Sequence, residues 1–194
     1  MPKIFSEADK QAIRSRLLEA GLAALERSSY RRIAVDDLAR QAGIAKGTFY
    51  HFYPSKEAFF YELMLCIKQH NRSSLLALFQ AGPPSRDDLT DCLVSRYTVM
   101  KSVYAYFPPE DLATILEKIP QSRLDRDDDS LDFAALVAQS LRPLTARETE
   151  TIVGMFNVLG LAAAHRGDLD VTGYEPAIRV FCGTMADYIL GGTS

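Results

Sequence analysis

Tryptophan is absent, and cysteine and histidine occur only three times each. Cys66, Cys92 and Cys182 are scattered, odd in number and never in CxxC spacing, which excludes a disulfide framework and a spaced zinc site. Each lies in a helical pattern and reads as a small buried hydrophobe. No apolar run approaches the roughly eighteen residues of a membrane span, and the charged N-terminus has no apolar leader. The expectation is a cytoplasmic protein with no membrane partner. Strand-like alternation, repeats and low-complexity tracts are missing as well. So are HExxH, a nucleophile elbow, a phosphate loop and a dinucleotide-binding glycine fingerprint. His51, His70 and His165 alone do not make a catalytic constellation. Asp125, Asp127 and Asp129 begin like a calcium loop, but Ser130 replaces the required glycine and Leu136 the bidentate glutamate. The chain is therefore read as a non-enzyme, with no catalytic residue, no metal and no cofactor.

What is present is an all-helical pattern with an uneven charge. Apolar residues make up 47% of 194, enough for a packed core. Net charge is −3, yet residues 1–56 carry ten basic side chains against six acidic ones, which leaves the head at +4 and the remainder at −7. A basic head on an acidic body fits a phosphate-binding module.

Within the head, Val35, Leu38, Ala39 and Ala42 recur at helical spacing and form one apolar face. Gly43 stops that helix, since glycine enters the left-handed conformation at little cost. A second short helix, Lys46 to Phe52, ends before Pro54. Helix, glycine turn and short helix over about 35–53 make a helix-turn-helix, whose second helix enters a DNA major groove. Lys46, Thr48, Tyr50 and His51 put donors on that helix, and Phe49 should face inward.

The rest of the chain reads as helices. Ser6, with Glu7 and Asp9, opens the first, whose stripe of Ile13, Leu17, Ala20, Gly21, Ala24 and Leu25 should support the helix-turn-helix. Pro54 and Ser55 open a long helix over 57–80. Further helices are expected over 86–106, between Pro109 and Pro120, and over 131–141. Gln121 to Ser130 reads as a surface loop. Thr145 and Glu148 form a capping box for a helix over about 147–165 that is apolar almost all round, and Pro176 is expected to start the last helix, within about 174–190. The total is about nine helices: a three-helix DNA-binding head over 1–56 and a helical ligand-binding and dimerisation body over 57–194.

The wording of the head resembles the DNA-binding domain of the TetR family of bacterial transcriptional regulators. The matching words are Leu38-Ala39-Arg40-Gln41-Ala42-Gly43-Ile44, Lys46-Gly47-Thr48-Phe49-Tyr50 and Pro54-Ser55-Lys56-Glu57, with Leu17-Leu18-Glu19-Ala20 and Tyr30 upstream. They cover roughly the first third of the chain; the remainder matches in helical character and length. The resemblance departs at Ser29, where the family usually has glycine, and at Phe52-Tyr53. It departs also at Ala34 and Ala45, where hydroxyl residues usually cap the two helices, and alanine cannot cap.

The resemblance implies a regulator that occupies a palindromic operator in double-stranded DNA and leaves it when a small-molecule effector binds the body; activation instead of repression is left open. The alternative is an all-helical small-molecule-binding protein or enzyme with an incidental basic helix pair. The expected DNA-binding residues are Ala45, Lys46, Gly47, Thr48, Tyr50, His51 and Lys56. The expected effector pocket has Cys66, His70, Tyr97, Met100, Tyr104 and Phe133, with apolar and aromatic walls. A homodimer built on the last two helices would use Val153, Phe156, Leu159, Gly160, Phe181 and Met185, where Gly154 and Gly160 allow close approach.

Overall fold

A computed structural model describes residues 5–98, 103–124, 129–165 and 171–191. The described residues form ten α-helical segments, two short 3-10 turns and no strand. In order they are α1 (Glu7–Leu25), α2 (Val35–Gln41), α3 (Lys46–Phe52), α4 (Lys56–Gln80), α5 (Arg86–Thr98), α6 (Val103–Tyr106), α7 (Pro109–Glu117), α8 (Asp129–Ser140), α9 (Ala146–Ala164) and α10 (Val171–Ile189). The all-α expectation holds. The stretch expected as one helix over 86–106 is described as α5 and α6, and residues 99–102 lie outside the described residues. α8 begins at Asp129, two residues earlier than expected.

Local chemistry sets most of these boundaries. Ser6 and Asp9 form a reciprocal capping box at α1, and Thr145 and Glu148 form another at α9. Ser55 and Ser85 accept from the amides of Ala58 and Asp88, three residues on, at the starts of α4 and α5. Pro176 behaves differently from the expectation that it starts the last helix: α10 begins at Val171 and holds Pro176 inside. The proline sits where its amide would have bonded the Thr172 carbonyl, so the helix forgoes one backbone hydrogen bond there. Packing of Tyr174, Ile178, Cys182 and Met185 into the core, all at most 5% exposed, offsets that loss.

The chain divides into two compact units, residues 1–65 with 109–124, and residues 66–108 with 125–194. In the first, α1 packs on α2 and α2 on α3. Leu17, Leu38, Phe49, Phe59 and Phe60 are fully buried, each worth about 1.5–3 kcal/mol by the area it removes from water. Gly21 of α1 is required by this packing: a Cβ there would lie 2.6 Å from the Phe59 ring. α7 joins the same unit although it is distant in sequence. Asp111, only 3% exposed, pairs with Arg31 at 2.5 Å; Lys118 Nζ lies 2.6 Å from Glu57; and the Tyr61 hydroxyl donates to the Arg123 carbonyl at 3.0 Å. The Tyr30 hydroxyl, buried under the same corner, also donates to Glu57 at 3.0 Å.

Glu57 is thus the acceptor for two side-chain donors. Burial alone would raise its pKa, but the bonds from Lys118, its own amide and Tyr30 outweigh that and bring it from 4.5 to about 2. Burial, then Glu57, pushes the Tyr30 hydroxyl up to about 12.

In the second unit, α5 and α10 make the most extensive helix pair, and α9 packs on α8 and α6. The α5–α10 seam carries a two-pronged Arg86–Asp187 pair, at 2.6 and 3.0 Å, and an Arg179–Asp91 pair at 2.6 Å. Beneath them lie Leu89, Leu93, Cys182, Met185, Ala186 and Ile189, all fully buried. Burial pushes the Cys182 thiol up to about 12, which keeps it protonated, as expected of a cysteine that acts as a hydrophobe.

Two stability tests follow from the first unit. Gly21→Ala should destabilise by about 1–3 kcal/mol through overpacking against Phe59, the reverse of the gain alanine normally brings inside a helix. Glu57→Ala should cost about 1–3 kcal/mol, because it orphans the buried Tyr30 hydroxyl, whereas Lys118→Ala at its exposed end should cost less than about 1 kcal/mol. Urea denaturation checks both. Since the folded pKa of Glu57 is depressed, its contribution is present above pH 4.5 and disappears as the pH falls from 4.5 towards about 2. Thermal scans across that window should fall less steeply for Glu57→Gln than for the parent chain.

Candidate nucleic-acid interface

The turn between α2 and α3 is built as the sequence suggests. Gly43 has φ +70°, the Ile44 amide donates to the Ala39 carbonyl at 2.9 Å, and the Gly43 amide donates to the Arg40 carbonyl at 3.1 Å. This is a Schellman closure, which satisfies the last carbonyls of α2 and reverses the chain within two residues. Ala34 and Ala45 occupy the caps of α2 and α3 in extended conformation, and neither supplies a side-chain cap.

Phe49 fixes the orientation of α3. It is fully buried, with ring centroids 5.4 Å from Phe59 and 5.6 Å from Tyr53. With Phe49 inward, the other side of the helix faces out. Lys46, Gly47, Tyr50 and His51 are exposed, Ala45 precedes them in the open, and Thr48 is half-buried at the edge. A Cβ placed on Gly47 would meet nothing within 4 Å, so the surface there is open to a close approach. Tyr50, 46% exposed, stands edge-on to Phe49 at 5.4 Å and is held by it.

Acidic side chains hold two of the cations on this face. Lys46 Nζ donates to Asp36 at 3.0 Å, and Arg40 pairs with Asp37. The hydrogen bond to Asp36, and its charge, raise the Lys46 pKa, so the lysine stays cationic. Lys56 differs from its neighbours. Its ammonium lies 4.5 Å from the Tyr30 ring centroid and 3.3 Å from the Arg31 carbonyl it donates to, and burial lowers its pKa. It is half-buried and braces the corner between the first 3-10 turn and α4. Sequence reading missed that bracing role, because its aromatic partner lies 26 positions away in the chain.

In the second unit, a cavity of about 230 Å³ is lined by Arg72, Leu75, Leu76, Arg96, Phe133, Ala135, Leu136 and Gln139. Phe133 is the one expected pocket residue on this wall. Cys66 is half-buried, His70 is exposed and Tyr97 is buried, all away from this lining. Met100 and the Tyr104 side chain lie outside the described residues. Arg72 and Arg96 were not singled out by the sequence, where an arginine on a helix reads as solvated.

On the last two helices, Phe156, Leu159 and Met185 point into the core at 6%, 1% and 0% exposure, Gly160 is buried and Val153 is half-buried. Phe181, at 47%, is the expected interface residue that stands in the open. Its exposed neighbours are ones the sequence did not pick: Val158 and Leu161 on α9, and Val180 on α10, at 51%, 61% and 71%. They extend into two stripes, Gly154-Asn157-Val158-Leu161 and Gly173-Ala177-Val180-Phe181-Thr184, each at helical spacing. Among the described residues, no helix is long and apolar enough to cross a membrane.

Comparison with known proteins bears on this geometry. Residues 17–63, which span the second half of α1 through the start of α4, match the family model described as bacterial regulatory proteins, tetR family. A 34-residue stretch is 56% identical to the HTH-type transcriptional regulator EthR of Mycolicibacterium smegmatis; it spans 18% of this chain and 16% of that one. The crystal structure of a TetR transcriptional regulator from Rhodococcus sp. RHA1 superposes with a TM-score of 0.54 at 19% identity, over 91% of this chain and 96% of that one, and shows that the fold is shared. The sequence match to the tetR family of bacterial regulatory proteins thus covers residues 17–63, and the fold match covers nearly the whole length of the chain.

Proposed function

We propose that this protein is a homodimeric, effector-responsive DNA-binding regulator whose α3 reads a palindromic operator. The observation that carries the reading is the short helix α3, anchored by the buried Phe49, with Lys46, Gly47, Tyr50 and His51 facing outward within the basic stretch 1–56. Lys46 and Tyr50 contact phosphates, Thr48 and His51 read base edges, and Lys56 acts mainly by stiffening the corner under α4. The α3 helices of two subunits meet successive major grooves, about 34–36 Å apart. Occupying the operator represses transcription, and a small molecule in the second unit weakens that occupancy by binding its two conformational states unequally.

Asp36 has a part in this scheme. Its carboxylate holds Lys46 in the absence of DNA, and a phosphate must replace it. The acid lowers affinity for any DNA and limits non-specific binding. Lys46→Ala should weaken binding to all sequences alike and reduce the salt slope by about one unit. Asp36→Asn should raise affinity for cognate and non-cognate DNA together. Tyr50→Phe should cost on the order of 1 kcal/mol, and Thr48→Ala should alter operator preference more than total affinity. Gel shifts on the DNA upstream of the chain's own gene, repeated over a salt series, measure all four. If every variant binds like the parent chain, α3 is not the reading helix.

The dimer is formed by the exposed stripes of α9 and α10. Leu161→Glu or Val180→Glu should give a monomer with the helix content of the parent chain, because both side chains already stand in the open. Phe156→Glu and Leu159→Glu should instead unfold the protein, since they bury a charge. Sedimentation with circular dichroism separates the two results, and a stable parent monomer at micromolar concentration rules the dimer out.

A further inference from the structure

We infer that Arg16 of α1 is a further DNA-binding residue, whose guanidinium takes an operator phosphate beside the start of α3. The inference rests on the DNA-binding reading and adds to it a contact from outside the helix-turn-helix. Two contacts lay α1 along the length of α3. The Phe5 ring, just ahead of α1, has its centroid 6.4 Å from that of Phe52, the last residue of α3. At the other end, Arg16 Nη1 lies 3.8 Å from the place a Cβ on Gly43 would take, in the turn that leads into α3. The two helices therefore run side by side in opposite directions, and Arg16 stands over the entry to the reading helix.

The cations around α3 differ in what holds them. Lys10 donates to Glu7 at 2.6 Å, and Arg14 adds to the charge that lowers the Glu7 pKa. Arg40 pairs with Asp37, and Lys46 with Asp36. Arg16 is exposed and has no hydrogen bond or ion pair among the described residues. Gly43 is exposed as well, and it puts no side chain in front of the guanidinium. Gly43 and Lys46 are three residues apart, at most about 11 Å of chain, so Arg16 and Lys46 can serve neighbouring phosphates of one duplex. A guanidinium suits a phosphate because its planar fork donates two parallel hydrogen bonds. Arg16 gives up no acid to make that contact, whereas Lys46 and Arg40 must first leave theirs. Ala45 supplies no side-chain cap at the start of α3, so a polar side chain that grips the duplex at that end has to come from a neighbouring element.

The test is a set of gel shifts with the full-length protein on the DNA upstream of its own gene and on a random duplex of equal length, over a salt series. Arg16→Gln should weaken both duplexes alike, about ten-fold, and reduce the salt slope by about one unit. Arg16→Lys should keep the salt slope of the parent chain, because it keeps the charge. Both variants should keep the parent's thermal midpoint, since the side chain stands in the open. Arg147→Gln, which removes the same charge from the exposed start of α9, should bind as the parent does. The inference is overturned if Arg16→Gln binds both duplexes like the parent, if it affects the operator alone, if Arg16→Lys loses the slope as well, or if the loss comes with a lowered thermal midpoint. Lys46→Ala keeps the two readings apart. If it weakens binding while Arg16→Gln does not, the inference falls and the DNA-binding reading stands. If neither changes anything, or the parent chain binds neither duplex, both fall.

Discussion

The first unit depends on the contact of one aromatic cluster with a glycine. Tyr30, Phe49, Tyr53, Phe59 and Phe60 meet edge-on or tilted, with centroids 5.0–5.6 Å apart, and Phe59 fills the space left by the missing side chain of Gly21. α3 has seven residues and no side-chain cap, and a helix that short does not persist alone in water. It is helical because Phe49 and Tyr53 are held by that cluster. The geometry of the outward face of α3 is therefore set by a core contact on the opposite side of the helix. The exposed residues are free to vary in identity, but their direction is fixed from below.

Charge then works in two layers around the same unit. Inside, a half-buried corner joins Arg31 to Asp111, Glu57 to Tyr30 and Lys118, and Lys56 to the Tyr30 ring. These pairs tie α7 and the start of α4 to the turn after α1. The chain leaves the second unit to contribute residues 109–124 to the first and then returns. Outside, Asp36 and Asp37 hold Lys46 and Arg40 in exposed pairs that add little stability. The inner pairs hold the unit together, while the outer ones lie in solvent and contribute little to it.

The second unit solves a different problem, burying two long apolar helices that each have more than one apolar side. α10 directs Ile178, Cys182, Met185 and Ile189 into the core and leaves Val180 and Phe181 outside. The ion pairs Arg86–Asp187 and Arg179–Asp91 flank the buried side and fix the rotation of α10 against α5. With that rotation fixed, the outward stripe of α10 is determined.

What the sequence determined by itself is what depends on neighbouring residues. Gly43 ends α2, Ser6 and Thr145 with their acids three residues on open α1 and α9, Ser55 opens α4, and Phe49 points inward, because each rests on contacts within one or two helical turns. The all-helical fold and the position of the helix-turn-helix were legible for the same reason. Pro176 was misread because the local rule that proline starts a helix yielded to the packing of α10. The tertiary structure decided the faces. α9 is apolar almost all round, so periodicity could not say that Phe156 and Leu159 go in while Val158 and Leu161 stay out. Nor could it place Arg72 and Arg96 on the lining of one cavity, or bring Asp111 to Arg31 across 80 positions of chain. A helix carries its period in its own residues, but its rotation is set by the helices packed against it, and those arrive from elsewhere in the chain.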